Sequence, residues 1–378
     1  MTAVPLRYIA AVNETVLPEN TPPDFAFKYI DISQVDGNSK MTIPIDVVTF
    51  DAAPSRARRV AAVGSTVVST VRTYLRAIGT VPDSEEPLIF STGFAVLTPT
   101  QGDPRYFGYA CRSDNFVQEV VSRSVGVSYP AISPADLMDI SLPSPDLEEQ
   151  RRIADFLDDR VACIDRIVGA RRLQSDLVGA LGASQLERMV YDLRQTVRSR
   201  RLATIASVRS GEFLPSTEFD DGGPVPVYGG NGVTGRYRVA NTVRQCVVVG
   251  RVGALCGNVH LLPESAWVTD NALVVRLRDP VLMPAYVAAV LHAANLNSVA
   301  SQTAQPLLTG TQVGDWPIPL ATRSEQEKLV AAWQRSATAG TDSLDQSIRL
   351  LEEYKQSLIT AAVTGELDVT TAGSGIPG

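Results

Sequence analysis

The residues best suited to touching a polar polymer fall in two loops. In GGPVPVYGGNGVTGRYRVAN, the side chains of Tyr228, Asn231, Thr234, Arg236, Tyr237 and Arg238 surround a glycine cluster that includes Gly230, and Arg251 closes the next apolar run. Glycine admits backbone with positive φ and lets a loop approach its target closely. Amides and guanidinium forks match the hydrogen-bonding edges of adenine and guanine, so this set offers base-edge and phosphate donors, while such a loop on its own also serves simply as a tight turn. A second set, Ser69, Arg72, Thr73, Tyr74 and Arg76 in STVVSTVRTYLRAIGTV, follows an apolar strand and carries the same kinds of donor.

Catalytic chemistry finds little support. There is no GxxxxGK[ST] phosphate loop, and the glycines of GRVGALCG lack the spacing of a dinucleotide site. The string Thr21-Pro22-Pro23-Asp24-Phe25 has the wrong first residue and a displaced aromatic for an Asn/Asp-Pro-Pro-aromatic methyltransferase signature. Cys111, Cys163, Cys246 and Cys256 form no CxxC, and neither histidine, His260 or His292, stands near enough to complete a zinc spacing; reduced, packed thiols are expected. No bound cofactor or metal is expected in this chain. No apolar run reaches membrane-span length and the first residues lack a leader pattern, so a cytoplasmic protein without membrane contact is expected.

The net charge of −7 excludes a protein that coats DNA by charge alone, because nonspecific affinity comes from neutralising phosphates. The basic residues are nearly all arginine, with Lys28, Lys40, Lys328 and Lys355 the only lysines. Arginine is the side chain suited to bidentate contact with guanine and phosphate.

The elements that hold these loops occur twice. YPAISPADLMDISLPSPDLEEQRRIADFLD aligns without a gap on QPLLTGTQVGDWPIPLATRSEQEKLVAAWQ, setting Pro130 on Pro306, Asp139 on Asp315, Pro143 on Pro319 and Glu149-Gln150 on Glu325-Gln326. A weaker echo sets LRYIAAV at Leu6 on LATIASV at Leu202, which makes the second half the shorter one. Each half reads as a mixed globule followed by a long helix. Asp146 can cap the first helix, whose apolar face runs through Ile153, Leu157, Val161, Ile164, Ile167, Ala170, Leu177 and Leu181. The second runs through Leu329, Trp333, Leu344, Ile348, Leu351 and Leu358. Kinks or close interhelical approach are expected at Gly169, Gly179, Gly182 and Gly340.

These residues resemble the specificity subunits of type I restriction-modification systems. The resemblance rests on ISLPSPDLEEQRRIADFLDDRVACIDRIV, on the closing LDQSIRLLEEYKQSLITAAVTGELDV, and on the Tyr-Gly-Gly-Asn-Gly loop; the first globule matches the family's variable domains only loosely. It implies a mixed α/β (α+β) fold with two target-recognition domains, residues 1–145 and 193–322. Two long antiparallel coiled-coil helices, 146–192 and 323–368, would separate them in a pseudo-twofold internal repeat, with a tail at 369–378. It further implies a non-catalytic subunit that reads a bipartite site in double-stranded DNA and docks two methyltransferase subunits. Adenine-N6 methylation and ATP-dependent cleavage would reside on the methyltransferase and restriction subunits, with S-adenosylmethionine, ATP and magnesium bound there. The competing reading is a coiled-coil scaffolding protein with two protein-binding globules, which the acidic charge suits.

Overall fold

The structure is a computed structural model that describes residues 2–126, 129–253, 256–301, 306–338 and 341–370. The chain divides into two compact units: one joins the residues up to Arg171 to the stretch from Gln346, and the other is Arg172–Asp345. Both mix strands with helices, and the helices that matter most are α1 (Pro104–Arg112), α2 (Leu147–Thr196), α3 (Pro284–His292), α4 (Arg323–Thr338) and α5 (Thr341–Thr364).

In the first unit, strands β1 (Ala10–Val12), β2 (Thr66–Ser69), β3 (Ile78–Thr80) and β4 (Phe94–Pro99) form an antiparallel sheet in the order β1-β4-β2-β3. Side chains alternate across a strand. Val68, Ala95 and Leu97 therefore join Tyr106, Phe107 and Ala110 of α1 in one core, while Val67, Phe94 and Val96 join Ile30, Leu88 and Phe90 in another. Burial on both faces explains the unbroken apolar runs in these strands.

The second unit repeats the plan. Strands β5 (Ala206–Ser210), β6 (Val247–Gly250), β7 (Val259–Leu261) and β8 (Ala272–Leu277) pair in the order β5-β8-β6-β7, the same order displaced by one repeat. Val247, Val249, Leu273 and Val275 face α3, and Val248 and Ala272 face a smaller cluster with Val268. The units differ in their other large sheet, five-stranded in the first and three-stranded in the second, so the second half of the sequence is shorter.

Each unit is tied to its long helix by the same two side chains. Gln150 accepts the Asp103 N–H at 2.9 Å through Oε1 and donates to the Pro145 carbonyl at 2.8 Å. Gln326 accepts the Met283 N–H at 2.8 Å and donates to the carbonyls of Ala321 at 3.0 Å and Val281 at 3.2 Å. The hydroxyl of Tyr106 donates to the Pro143 carbonyl, and that of Tyr286 to the Pro319 carbonyl, both at 2.9 Å. Burial pushes both phenols above their ordinary pKa, so they remain donors. The helix starts are capped as the residue types require. Asp146 Oδ1 accepts the Glu149 N–H at 2.9 Å, and Thr322 and Glu325 hydrogen-bond reciprocally before α4.

In the first unit α2 packs on α5, with Ile153, Leu157, Val161, Ile164 and Val168 sharing a core with Ile348, Leu358, Ile359 and Ala362. The buried Lys355 ammonium meets Asp165 at 2.8 Å. In the second unit Leu186 and Val190 of α2 share a core with Leu329 and Val330 of α4, and a Cβ on Gly182 would come within 2.7 Å of Ser336 Cβ.

Two expectations need correction. A Cβ added to Gly169 or Gly179 would have nothing within 4 Å, so these two mark no close approach, whereas Gly182 does; Gly340 lies outside the described residues. Ile167, Ala170, Leu177 and Leu181, expected on the buried face, are all exposed, the two leucines at 61% and 60%, as is Leu173 at 60%. At about 100° per residue, position 177 lies half a turn away from the buried Leu186 of the same unit, so these leucines form a stripe on the side of the helix away from that core.

Gln326 is fully buried and serves one donor and two acceptors at once. Gln326→Leu is expected to cost about 2–4 kcal/mol in denaturant unfolding by stranding those groups, while the same change at exposed Gln346 should stay within about 0.5 kcal/mol.

Candidate nucleic-acid interface

The loop after β2 is held from below and open above. Ser69 is buried and its hydroxyl donates to the Val71 carbonyl at 2.6 Å; Thr73 is buried and shares a 2.7 Å hydrogen bond with Ser124. Both hydroxyls are spent inside the fold, where they shape the loop. Arg76 is half-buried and ion-paired with Asp114. Arg72 and Tyr74 point outward, with Tyr74 54% exposed. The Arg72 guanidinium lies 4.8 Å from the centre of the Tyr129 ring, which is itself exposed. The loop therefore presents a cation stacked on an aromatic face beside a second aromatic.

Both Arg72 and Arg76 adopt left-handed backbone, at φ of 50° and 57°. A side chain with Cβ pays roughly 1–2 kcal/mol for that region, which glycine and asparagine tolerate better. The second unit has glycine at the two matching places, Gly253 at φ 86° and Gly257 at φ 92°. The match is set by hydrogen bonds. Arg72 N–H donates to the Pro130 carbonyl at 2.7 Å and Gly253 N–H to the Pro306 carbonyl at 3.1 Å. Ile132 N–H donates to the Thr70 carbonyl at 2.9 Å and Leu308 N–H to the Arg251 carbonyl at 2.8 Å. Ser69 N–H donates to the Ala77 carbonyl and Gly250 N–H to the Asn258 carbonyl, at 2.9 and 2.8 Å. The Pro130–Pro306 alignment read from the sequence thus marks one loop frame built twice with different side chains.

In the second unit the exposed chemistry centres on the hairpin of Val225–Gly229 and Gly232–Tyr237. Gly230 sits tightly against the neighbouring backbone, since a Cβ there would lie 3.0 Å from the Asn271 carbonyl oxygen. Asn231 is exposed and accepts from Asn258 Nδ2 at 2.7 Å, leaving its own amide N–H groups directed outward from that bond. The Thr234 hydroxyl donates to the Val227 carbonyl at 3.3 Å. Arg236 donates to the carbonyls of Gly223 and Pro224, at 2.5 and 2.8 Å, and so serves the hairpin itself. Tyr237 packs edge-on against Trp267 at 5.2 Å, with Arg238 exposed 5.6 Å from the Tyr237 ring. Tyr228 is half-buried against His260, and burial raises its phenol pKa. Arg251 donates to the Ser210 hydroxyl at 3.2 Å and is half-buried.

A concave surface of about 810 Å³ runs beside this hairpin, lined among others by Phe213, Phe219, Gly230, Asn231 and Thr234. Phe213 was not among the residues singled out from the sequence, yet it is 73% exposed. The chain just before it is held by Gly211 and Glu212 N–H groups donating to the Ala272 and Val268 carbonyls and by Trp267 Nε1 donating to the Glu212 carbonyl at 3.3 Å. Within GEFLP an isolated Phe next to Leu and Pro reads as core, so only the exposure reveals it. An aromatic ring standing in water is a means of contacting a thymine methyl or a base step.

Among the described residues no group of three or more His, Cys, Asp or Glu side chains could hold a metal ion, and no helix is long and apolar enough to cross a membrane. The four cysteines are free, and Cys111, Cys246 and Cys256 are buried.

Residues 57–171, which include the loop bearing Arg72 and the first part of α2, match the family model of the type I restriction modification DNA specificity domain. Over 164 residues the chain is 30% identical to the type I restriction enzyme EcoprrI specificity subunit of Escherichia coli, covering 42% of this chain and 39% of that relative, so the match spans less than half the relative's length. The fold is similar, with a TM-score of 0.61 at 23% identity over 97% of this chain and 98% of the other, to a chain from a structure of complex assembly in the type I R-M system. An HsdS subunit from Thermoanaerobacter tengcongensis is 24% identical over 97% of each chain, with a TM-score of 0.45.

His260 and His292 are both held below the ordinary imidazole pKa by burial, and for His260 the neighbouring His292 adds to the effect. The folded form therefore binds fewer protons than the unfolded chain once pH falls below the unfolded value near 6.5. Stability from these groups is complete above that pH and is lost as pH falls through the lowered folded values. Thermal melts should show a lower Tm at pH 5.5 than at pH 7.5, and the H260Q/H292Q pair should flatten that slope. A slope unchanged in the pair would remove the histidines as its cause.

Proposed function

We propose that the chain is the DNA sequence-specificity subunit of a type I restriction-modification complex, in which each unit reads one half of a bipartite site in double-stranded DNA. The observation that carries this reading is the loop frame built twice, with the same hydrogen bonds to Pro130 and Pro306 but with Arg72 and Arg76 in one copy and Gly253 and Gly257 in the other. Two similar scaffolds with unlike reading surfaces suit a target of two unlike half-sites. A single binding site for a protein ligand would have no use for that division.

The readers are the exposed donors: Arg72 and Tyr74 in the first unit, and Asn231 and Arg238 with Phe213 in the second. Ser69, Thr73, Arg76, Arg236 and Arg251 act by shaping the loops that carry them. Each good bidentate base contact gives about 1–3 kcal/mol of discrimination. The acidic balance of the chain means that phosphate neutralisation falls mainly to partners, and the isolated chain should bind DNA weakly.

The partners of this reading are two methyltransferase subunits and the restriction subunits. Adenine-N6 methylation, ATP-driven cleavage and the attendant S-adenosylmethionine, ATP and magnesium belong to them, and the complex works in the cytoplasm. The stripe of Leu173, Leu177 and Leu181 supports docking of the methyltransferase along α2, because three large apolar side chains at i, i+4 and i+8 stand in water there.

Exchanging residues 1–145 for the corresponding globule of another such subunit, and mapping the methylated sequence, tests the division of labour. One half-site should change and the other should persist. A change in both halves, or in neither, would contradict it.

A further inference from the structure

Arg72 is a costly residue in its place. Among the described residues, the other non-glycine positions with positive φ are Asn13, Ser39, Arg76, Gln245 and Asn295. The asparagines suit that region by themselves, and Arg76 is anchored by its ion pair with Asp114. Arg72 makes no ion pair among the described residues; its guanidinium rests on the exposed ring of Tyr129, with the plane of donors open to solvent. The second unit shows what the loop frame itself needs. There Gly253 occupies the same place, and a Cβ added to it would meet nothing within 4 Å, so no packing demand calls for a side chain.

We infer that Arg72 is a specificity-determining residue that reads a guanine in the half-site of the first unit, with Tyr129 holding its fork in place. Stacking on an aromatic face restrains the guanidinium plane while leaving its N–H pair free, and that pair matches O6 and N7 of guanine in the major groove. A loop residue kept in strained backbone whose side chain has no ion pair within the fold marks a site where the strain serves contact with something outside it. The Gly253 loop lacks this reader, so the second unit recognises its bases through the hairpin at Asn231 instead. The inference rests on the DNA-reading role proposed above and names one of its contacts.

The strain gives the test its control. Arg72→Gly recreates in the first unit the backbone chemistry of Gly253, and should leave Tm equal to or above that of the unaltered chain. The full chain would be co-expressed with its methyltransferase, and methylation rates would be measured on DNA duplexes carrying each base-pair substitution across the first half-site. The unaltered complex should show one G·C pair whose replacement slows methylation by about ten- to a hundredfold. R72G should abolish that penalty and leave the penalties at other positions in place. R72K, which keeps the charge without the fork, should also lose it while retaining most of the affinity. A guanine penalty that survives in R72G, the lack of any such guanine, or a lowered Tm in R72G would each overturn the inference. If the unaltered complex showed no half-site preference at all, the DNA-reading proposal itself would fail, an outcome separate from these three.

Discussion

One buried glutamine amide at the start of each long helix is the constraint on which both units depend. A helix start leaves backbone N–H groups unpaired, and the helix packed against it, α1 or α3, brings another unpaired N–H to the same spot. Gln150 and Gln326 each join an N–H of the packed helix's cap to a carbonyl of the incoming chain, and Tyr106 and Tyr286 fasten the short strand just before. In a buried setting these bonds are expensive to leave unmade. They fix the sheet on its helix in each unit, and the loops at the far ends of the strands are then free to differ. Conserving the frame while varying Arg72 to Gly253 is possible because nothing in the clamp involves those residues.

Charge is distributed in keeping with this plan. Asp103, Asp155 and Asp158 converge on Arg105, which joins α1 to α2 and whose guanidinium they hold charged. Glu148 and Glu149 pair with Arg152 in the first turn of α2, where the helix dipole favours acids. Exposed pairs of this kind contribute little stability each. Their effect is to occupy acidic side chains along the helix, so that a chain of net charge −7 can still offer an unneutralised arginine, Arg72, at a loop tip.

Local and repetitive features were legible in the sequence. The helix cap at Asp146, the gapless alignment of Pro130 with Pro306, and the paired Glu-Gln steps all correspond to hydrogen bonds of the structure, the last two recurring in both units. What escaped depends on long-range or face-specific placement. The assignment of Leu177 and Leu181 to the buried face treated the spacing of apolar residues as a single stripe, whereas the seam passes beneath smaller residues such as Gly182. Lys355 meets Asp165 across 190 positions, a pairing no periodicity encodes. Among the loop residues, type alone could not separate Arg236, consumed by carbonyls of its own hairpin, from Arg238, which stands outside it. Nor could it tell that the Ser69 and Thr73 hydroxyls turn inward, or that Phe213 turns out.

The central claim is that one scaffold, built twice, carries two unlike readers of one DNA site. Genome-wide mapping of methylated adenines in cells with and without this chain tests it most directly. The predicted result is a motif of two dissimilar halves separated by a constant gap, present only with the chain. A methylation pattern indifferent to the chain, or a single uninterrupted motif, would contradict it.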